Sequence, residues 1–106
     1  MRLLKSKHRP TAIFAANDDM AAGVIRVADR LGIDVPEELS VAGCDDIALA
    51  RQVYPALTTI NQPLSAMAEH AALALIASVR GKRPLLGTEI VPAAIQIRES
   101  TGPAPK

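Results

Sequence analysis

Two polar pairs, Asn17-Asp18 and Asp45-Asp46, each directly follow a short apolar run: TAIFAA (Thr11 to Ala16) and SVAGC (Ser40 to Cys44). An amide and a carboxylate held at strand ends offer donors and acceptors in fixed directions. Such groups suit the hydroxyls of a sugar or the edge of a nucleobase. The same residue types are also favoured N-caps of a helix that follows a strand. Asp18, immediately before the helix, is read as a cap. Asn17 and Asp45, matched in placement, stay open to either use. A second chemistry is available to Asp18, Asp19, Asp45 and Asp46, since clustered carboxylates can form a Mg²⁺ pocket of the phospho-acceptor receiver kind. That chemistry would also call for a lysine at a strand end, and the sequence has none there.

The other reactive residue types point to structure. Cys44 lies within an apolar run without a nearby histidine and reads as a small buried filler. His8 sits in a basic stub and His70 stands alone on the last helix, so neither has the spaced partners of a zinc site. Gly23 and Gly43 are isolated, which excludes a phosphate-cradling glycine loop. No cofactor is implied, and no catalytic set. Tyr54 is expected either at an interface or over the sheet edge.

These residues need a scaffold, and the chain is long enough for one. It has 106 residues, 49% of them hydrophobic, which suffices for a single modest core. Twelve Lys/Arg against eleven Asp/Glu give a net charge of +1, so no global field marks a nucleic-acid or anionic-membrane binder. One cysteine excludes a disulfide scaffold, and one Tyr, one Phe and no Trp exclude a base-stacking platform. The longest apolar run, Ala71 to Ala77, is far shorter than a membrane span, and MRLLKSKHRP lacks the apolar centre of an export signal. A cytoplasmic setting is the expectation.

Periodicity places the elements. Leu3 to Arg9 is expected to be the end of a helix, stopped by Pro10. Thr11 to Ala16 should be a parallel strand covered on both faces. From Asp19 to Leu31, Met20, Val24, Val27, Ala28 and Leu31 recur at helical steps, with Gly32 as the stop. Ser40 to Cys44 is a second strand, Ile47 to Val53 a short helical turn, and Leu57 to Asn61 a third strand. Pro63 opens a helix from Leu64 to Arg80 that has apolar residues on more than one side and ends at Gly81. Thr88 to Arg98 should hold a strand, or a pair interrupted at Pro92, ahead of a loose tail from Thr101 to Lys106. This order is that of an α/β parallel sheet, in which ligands bind beyond the carboxyl ends of the strands.

Three segments, PTAIFAANDDMAAG (Pro10 to Gly23), DVPEELSVAGCDD (Asp34 to Asp46) and LTTINQP (Leu57 to Pro63), closely resemble the C-terminal part of LacI/GalR-type bacterial transcriptional regulators. The similarity runs from about Arg9 to Arg98 and includes RGKRP (Arg80 to Pro84). It implies part of an effector-binding core of the periplasmic binding protein-like fold, a three-layer parallel-sheet subdomain, here truncated. In this reading residues 1–60 and 88–98 form the C-terminal subdomain. Residues 61–87 supply a crossover and a helix of the N-terminal subdomain, and a helix-turn-helix is lacking. A periplasmic sugar-binding protein fragment is the alternative.

The resemblance further implies that Asn17 and Asp45 face a cleft for a sugar or purine-like effector, with Gln62 near a crossover. Cys44 departs from the tyrosine common in that motif. The implied partners are the effector, a second copy of the chain, and DNA only through a separate N-terminal domain. Dimerisation is expected through Met20, Val24, Val27 and Tyr54. The apolar surface of Leu73 and Ile76 should be covered by a second copy, with exchange of the last helix as one route.

Overall fold

A computed structural model describes residues 2–81 and 87–105. The elements run β1 (Ala12–Phe14), α1 (Asp18–Arg30), β2 (Ser40–Cys44), α2 (Leu49–Gln52), β3 (Thr58–Asn61), α3 (Leu64–Val79) and β4 (Ala94–Gln96). They form an α/β arrangement around one sheet with strand order β1-β2-β3-β4. β1, β2 and β3 are parallel, while β4 pairs antiparallel with β3. The sheet is parallel as expected over its first three strands, and only the last strand runs the other way. The chain leaves β3 at Asn61 and re-enters at Ala94, directly opposite Asn61, so it must run back the other way.

The chain divides into a unit that ends at Asn61 and resumes at Ala94, and a second unit from Gln62 to Ala93. The second boundary lies later than the expected 87/88, because Thr88 to Ala93 makes no strand. Pro92 lacks the N–H that a ladder would use there. Lys82, Arg83 and Pro84 of the RGKRP segment fall outside the described residues.

In the first unit, α1 starts and stops as its sequence dictates. Asn17 is the N-cap, its side-chain oxygen accepting from the Met20 N–H at 2.9 Å. At the other end Gly32 takes φ 66. The Ile33 N–H bonds the Ala28 carbonyl and the Gly32 N–H that of Asp29, each at 3.0 Å, the paired closure of a Schellman motif. The buried stripe is Ala21, Ile25 and Ala28, with Met20 59% exposed and Val24 and Val27 half-buried. The expected stripe through Met20 is therefore rotated: the face with small residues is the one that meets the sheet. Gly43 of β2 explains why, since a Cβ there would meet Asp18, Leu57 and Ala21. A side-chain-free strand position lets α1 approach the sheet closely.

The core is built by Leu39, Val41 and Leu57 at the heart of the sheet with Ile25, Ile33, Ala50 and Leu4 around them. Residues 2–8 form turns, not the expected helix end. Ser6 bonds back to the Leu3 carbonyl and offers its hydroxyl to the His8 N–H, a local alternative to helix. β1 has exposed ends, with Phe14 64% exposed, so it is an edge strand covered on fewer faces than its apolar run suggests. Tyr54 is 89% exposed and does not cover the sheet edge.

The segment after β4 is tied down where a loose tail was expected. Ser100 is fully buried, donates to the Val41 carbonyl at 2.6 Å and accepts the Thr58 N–H at 2.8 Å. Thr101 meets Thr58 hydroxyl to hydroxyl, and Gly102 exchanges hydrogen bonds with Ser40. Only Pro103 onward lacks such ties among the described residues.

The second unit is α3 and the chain that follows it. α3 has no buried residue, and Leu73 and Ile76 are exposed along with Leu64, Leu75 and Val79. Its C-terminus closes at Gly81, φ 66, whose N–H bonds the Ser78 carbonyl. His70, which stands alone in the sequence, is 2.7 Å from Glu89.

Candidate functional site

The ends of β1 and β2 carry the two polar pairs, and a single side chain joins them. Asp18, fully buried, accepts the Ile47 N–H at 2.9 Å through one oxygen and the Thr59 hydroxyl at 2.5 Å through the other. The loop after β1, the loop after β2 and strand β3 are thereby fastened at one carboxylate. The expected roles within the first pair are corrected: Asn17 caps the helix, and Asp18, read as the cap, is the tie between strand ends. The cap geometry decides this, because the extended backbone at Asn17 turns its side-chain oxygen onto the Met20 N–H while Asp18 points inward. Capping occupies only the amide oxygen of Asn17, so its NH₂ group can donate to a ligand.

Asp45 follows β2 directly, with its N–H bonded to the Ile60 carbonyl at 2.9 Å. Asp45 and Asp46 both take positive φ, 119 and 54. The Asp46 carboxyl group is only 3% exposed and sits among Arg98 (2.5 Å), Asn61 (2.9 Å) and, more weakly, the exposed Arg51 (3.4 Å). The Asn61 amide, together with the Arg98 guanidinium, holds its pKa below the ordinary 3.8, against the opposing effect of burial. A group with a depressed folded pKa stabilises the fold fully above its unfolded value, and that contribution disappears as pH falls through the folded one. Thermal unfolding followed by circular dichroism should show stability declining below about pH 4. An Asp46→Asn variant should have a visibly shallower acid limb.

Of the residues singled out from sequence, Asn17 and Asp45 lie beyond the carboxyl ends of adjacent parallel strands, and Gln62 follows β3 as the first residue of the second unit. Cys44, expected as a small buried filler, is half-buried. The carboxylates of the suggested Mg²⁺ pocket diverge: Asp18 is engaged with Ile47 and Thr59, and Asp46 with arginine and asparagine. Among the described residues no group of three or more His, Cys, Asp or Glu is placed to hold a metal ion. Sequence reasoning missed Arg98, Asn61 and Thr59, whose partners are distant along the chain. The lone glycine in β2, Gly43, was the one available sign that Asp18 packs tightly against that strand.

Met20, Val24 and Val27 line an apolar groove of about 470 Å³ together with Leu3 and Phe14. No helix among the described residues is long and apolar enough to cross a membrane.

Comparison with known proteins agrees with this geometry. Residues 1–101 match the family described as the periplasmic binding protein-like domain. The chain belongs to this family. Among its curated relatives, the HTH-type transcriptional repressor PurR of Serratia proteamaculans (strain 568) is 46% identical over 82 residues, 77% of this chain and 24% of the repressor. The chain thus spans about a quarter of the length of the curated relatives it matches. Among solved structures, a dimeric Lac repressor with an 11-residue C-terminal deletion superposes with TM-score 0.87 at 31% identity, over 100% of this chain and 38% of that one. A LacI family regulator from Enterococcus faecium with bound ribose gives TM-score 0.79 at 31% identity, over 99% of this chain and 38% of that one. These relatives are of the LacI/GalR type that the three sequence segments resemble.

Proposed function

We propose that the chain is the effector-sensing and dimerisation portion of a cytoplasmic transcriptional regulator, binding a small sugar or nucleobase-like ligand and catalysing no reaction. The observation that carries the proposal is the pair of strand ends fastened by Asp18, which brings Asn17 and Asp45 to the carboxyl edge of the sheet. Asn17 then donates from its amide and Asp45 accepts from a ligand hydroxyl or ring N–H. DNA is reached only through a separate helix-turn-helix. The relative with bound ribose supports a pentose as a first probe.

The contacts come from one wall, so affinity of the present chain for D-ribose or hypoxanthine should be about 1 mM or weaker. In an NMR titration the signals of Asn17 and Asp45 should move, and Asn17→Ala or Asp45→Ala should weaken the response roughly tenfold. Probes that perturb neither residue would defeat the assignment. Micromolar binding would show that a second wall is supplied by another chain.

The dimer uses the groove at Met20, Val24 and Val27, the separately placed exposed Tyr54, and a further contact over Leu73 and Ile76 of α3. Such apolar area is seldom left open on a monomer. Exchange of α3 between chains, hinged at Asn61-Gln62, is the arrangement we propose for that further contact. Sedimentation at roughly 50 µM should give a dimer, and Met20→Lys should shift it toward monomer. A monomer whose α3 amides resist hydrogen exchange would argue for α3 folding back onto its own chain.

A further inference from the structure

β1 stands at one edge of the sheet, and its outer side is open. The Ala42 carbonyl accepts the Ala15 N–H and the Thr11 carbonyl accepts the Ser40 N–H, so Thr11, Ile13 and Ala15 direct their backbone groups to β2. Backbone groups alternate in direction along a strand, and those of Ala12 and Phe14 therefore point outward. They have no hydrogen-bond partner among the described residues. The strand itself, Ala-Ile-Phe, holds neither the proline nor the charged side chain that commonly blunts an edge, and Phe14 is largely exposed.

Such an edge pairs with another strand, and the residues around it select which. When β1 meets β1 of a second copy antiparallel, with Ala12 of one chain opposite Phe14 of the other, both outward-facing residues become hydrogen-bonded pairs on either side of a two-fold axis at Ile13. The open residues flank that axis symmetrically, so a short strand suffices. Charge favours the same orientation. Before β1 the chain carries exposed Lys5 and Lys7, and after it α1 opens with exposed Asp19. Antiparallel strands bring the basic end of one copy toward the acidic end of the other, whereas parallel strands would set lysine beside lysine. The groove of Ile13, Met20, Val24 and Val27 borders the same strand, so the grooves of two copies would face each other across the axis.

We infer that β1 is a pairing edge for a second copy of this chain: two β1 strands join antiparallel about Ile13 and make one continuous sheet across the dimer. The inference rests on the reading of the chain as a dimer through Met20, Val24 and Val27, and it adds the backbone contact that fixes the register of that dimer.

The test uses the full chain as wild type, as Ala12→Pro, and as Ile13→Cys in a Cys44→Ser background. In the wild-type dimer the Ala12 and Phe14 amides should exchange with deuterium about tenfold more slowly than after dilution to monomer. Proline at the first residue of β1 removes an N–H that bonds nothing in its own chain. The fold should persist, reported by α1 amides at unchanged shifts, while the dimer dissociation constant rises about thirtyfold through the hydrogen bonds lost across the axis. The two Ile13 Cα atoms form a non-hydrogen-bonded pair about 4.5 Å apart, within disulfide reach. Mild oxidation of Ile13→Cys should therefore give a covalent dimer on a non-reducing gel. A wild-type dimer whose Ala12 and Phe14 amides exchange freely, an unchanged dissociation constant in folded Ala12→Pro, or no covalent dimer from Ile13→Cys would overturn edge pairing and leave the dimer reading in place. Should Ala12→Pro unfold, exchange and cross-linking still decide. A wild-type monomer at roughly 50 µM would defeat the dimer reading and the pairing with it; protected Ala12 and Phe14 amides in that monomer would assign the edge to a segment of the same chain.

Discussion

Replacing Asp18 with alanine should lower the free energy of unfolding by about 3 kcal/mol, read as a shift of the urea midpoint at constant slope. The side chain is fully buried, and its removal leaves the Ile47 N–H and the Thr59 hydroxyl without their acceptor. The buried Thr59 hydroxyl, once orphaned, costs roughly 1–3 kcal/mol, and the part-buried Ile47 N–H costs less, since water can reach it. The loss also removes a negative charge from the first turn of α1, which the helix dipole favours by a few tenths to about 1 kcal/mol. Asp18→Asn should cost less, since an amide oxygen can still accept from one donor. Thr59→Val should cost about 1 kcal/mol, because it removes a donor but leaves the Ile47 bond to the carboxylate. An Asp18→Ala variant with unchanged stability would mean that the two loops are held together by something other than this carboxylate.

Gly43→Ala should be the most damaging exchange of a single hydrogen for a methyl group, at about 2 kcal/mol. The added Cβ would lie 2.5 Å from an Asp18 oxygen, 3.1 Å from Leu57 and 3.2 Å from Ala21. None of these can readily yield: Asp18 is fixed by its two hydrogen bonds, while Leu57 and Ala21 are fully buried. The helix would have to lift from the sheet, opening gaps along Ile25 and Ala28. Because the methyl group competes with the Asp18 carboxylate for space, the two substitutions should not be additive. In an Asp18→Ala background Gly43→Ala should cost about 1 kcal/mol less than in wild type, a coupling that a double-mutant cycle reads directly. Additive losses would show that the crowding at Gly43 is with Leu57 and Ala21 alone.

The same contacts explain how stability and the proposed sensing share one site. Asp18 and Asp46 are buried carboxylates that face protein donors, and Asn17 and Asp45 are their neighbours in the chain. At both strand ends the second residue of the pair turns its carboxylate onto protein donors, and in the first pair Asn17 caps α1 through its amide oxygen.

Sequence by itself determined the local half of this protein. The alternation of apolar runs and amphipathic segments set the order of β1, α1, β2, α2, β3 and α3, and β2 was delimited at Ser40 and Cys44 as found. Gly32 stopped α1 because only a residue tolerant of positive φ closes a helix so tightly. The polar pairs were legible as strand-end groups for the same reason: their position depends on neighbours a few residues away.

Tertiary structure decided the rest. Which member of Asn17-Asp18 caps α1 depends on where Ile47 and Thr59 lie, and those residues are separated from Asp18 by 29 and 41 positions. Asp46 could have faced solvent, a ligand or a metal. It faces Arg98, 52 positions on, because β4 returns antiparallel beside β3. The buried face of α1 was likewise chosen by Gly43, whose missing side chain draws the alanine face inward past the larger Met20. Propensities and periodicity act over one or two turns of chain. Charge partners and close packing are fixed by sheet register and strand direction, which join residues that the sequence keeps far apart.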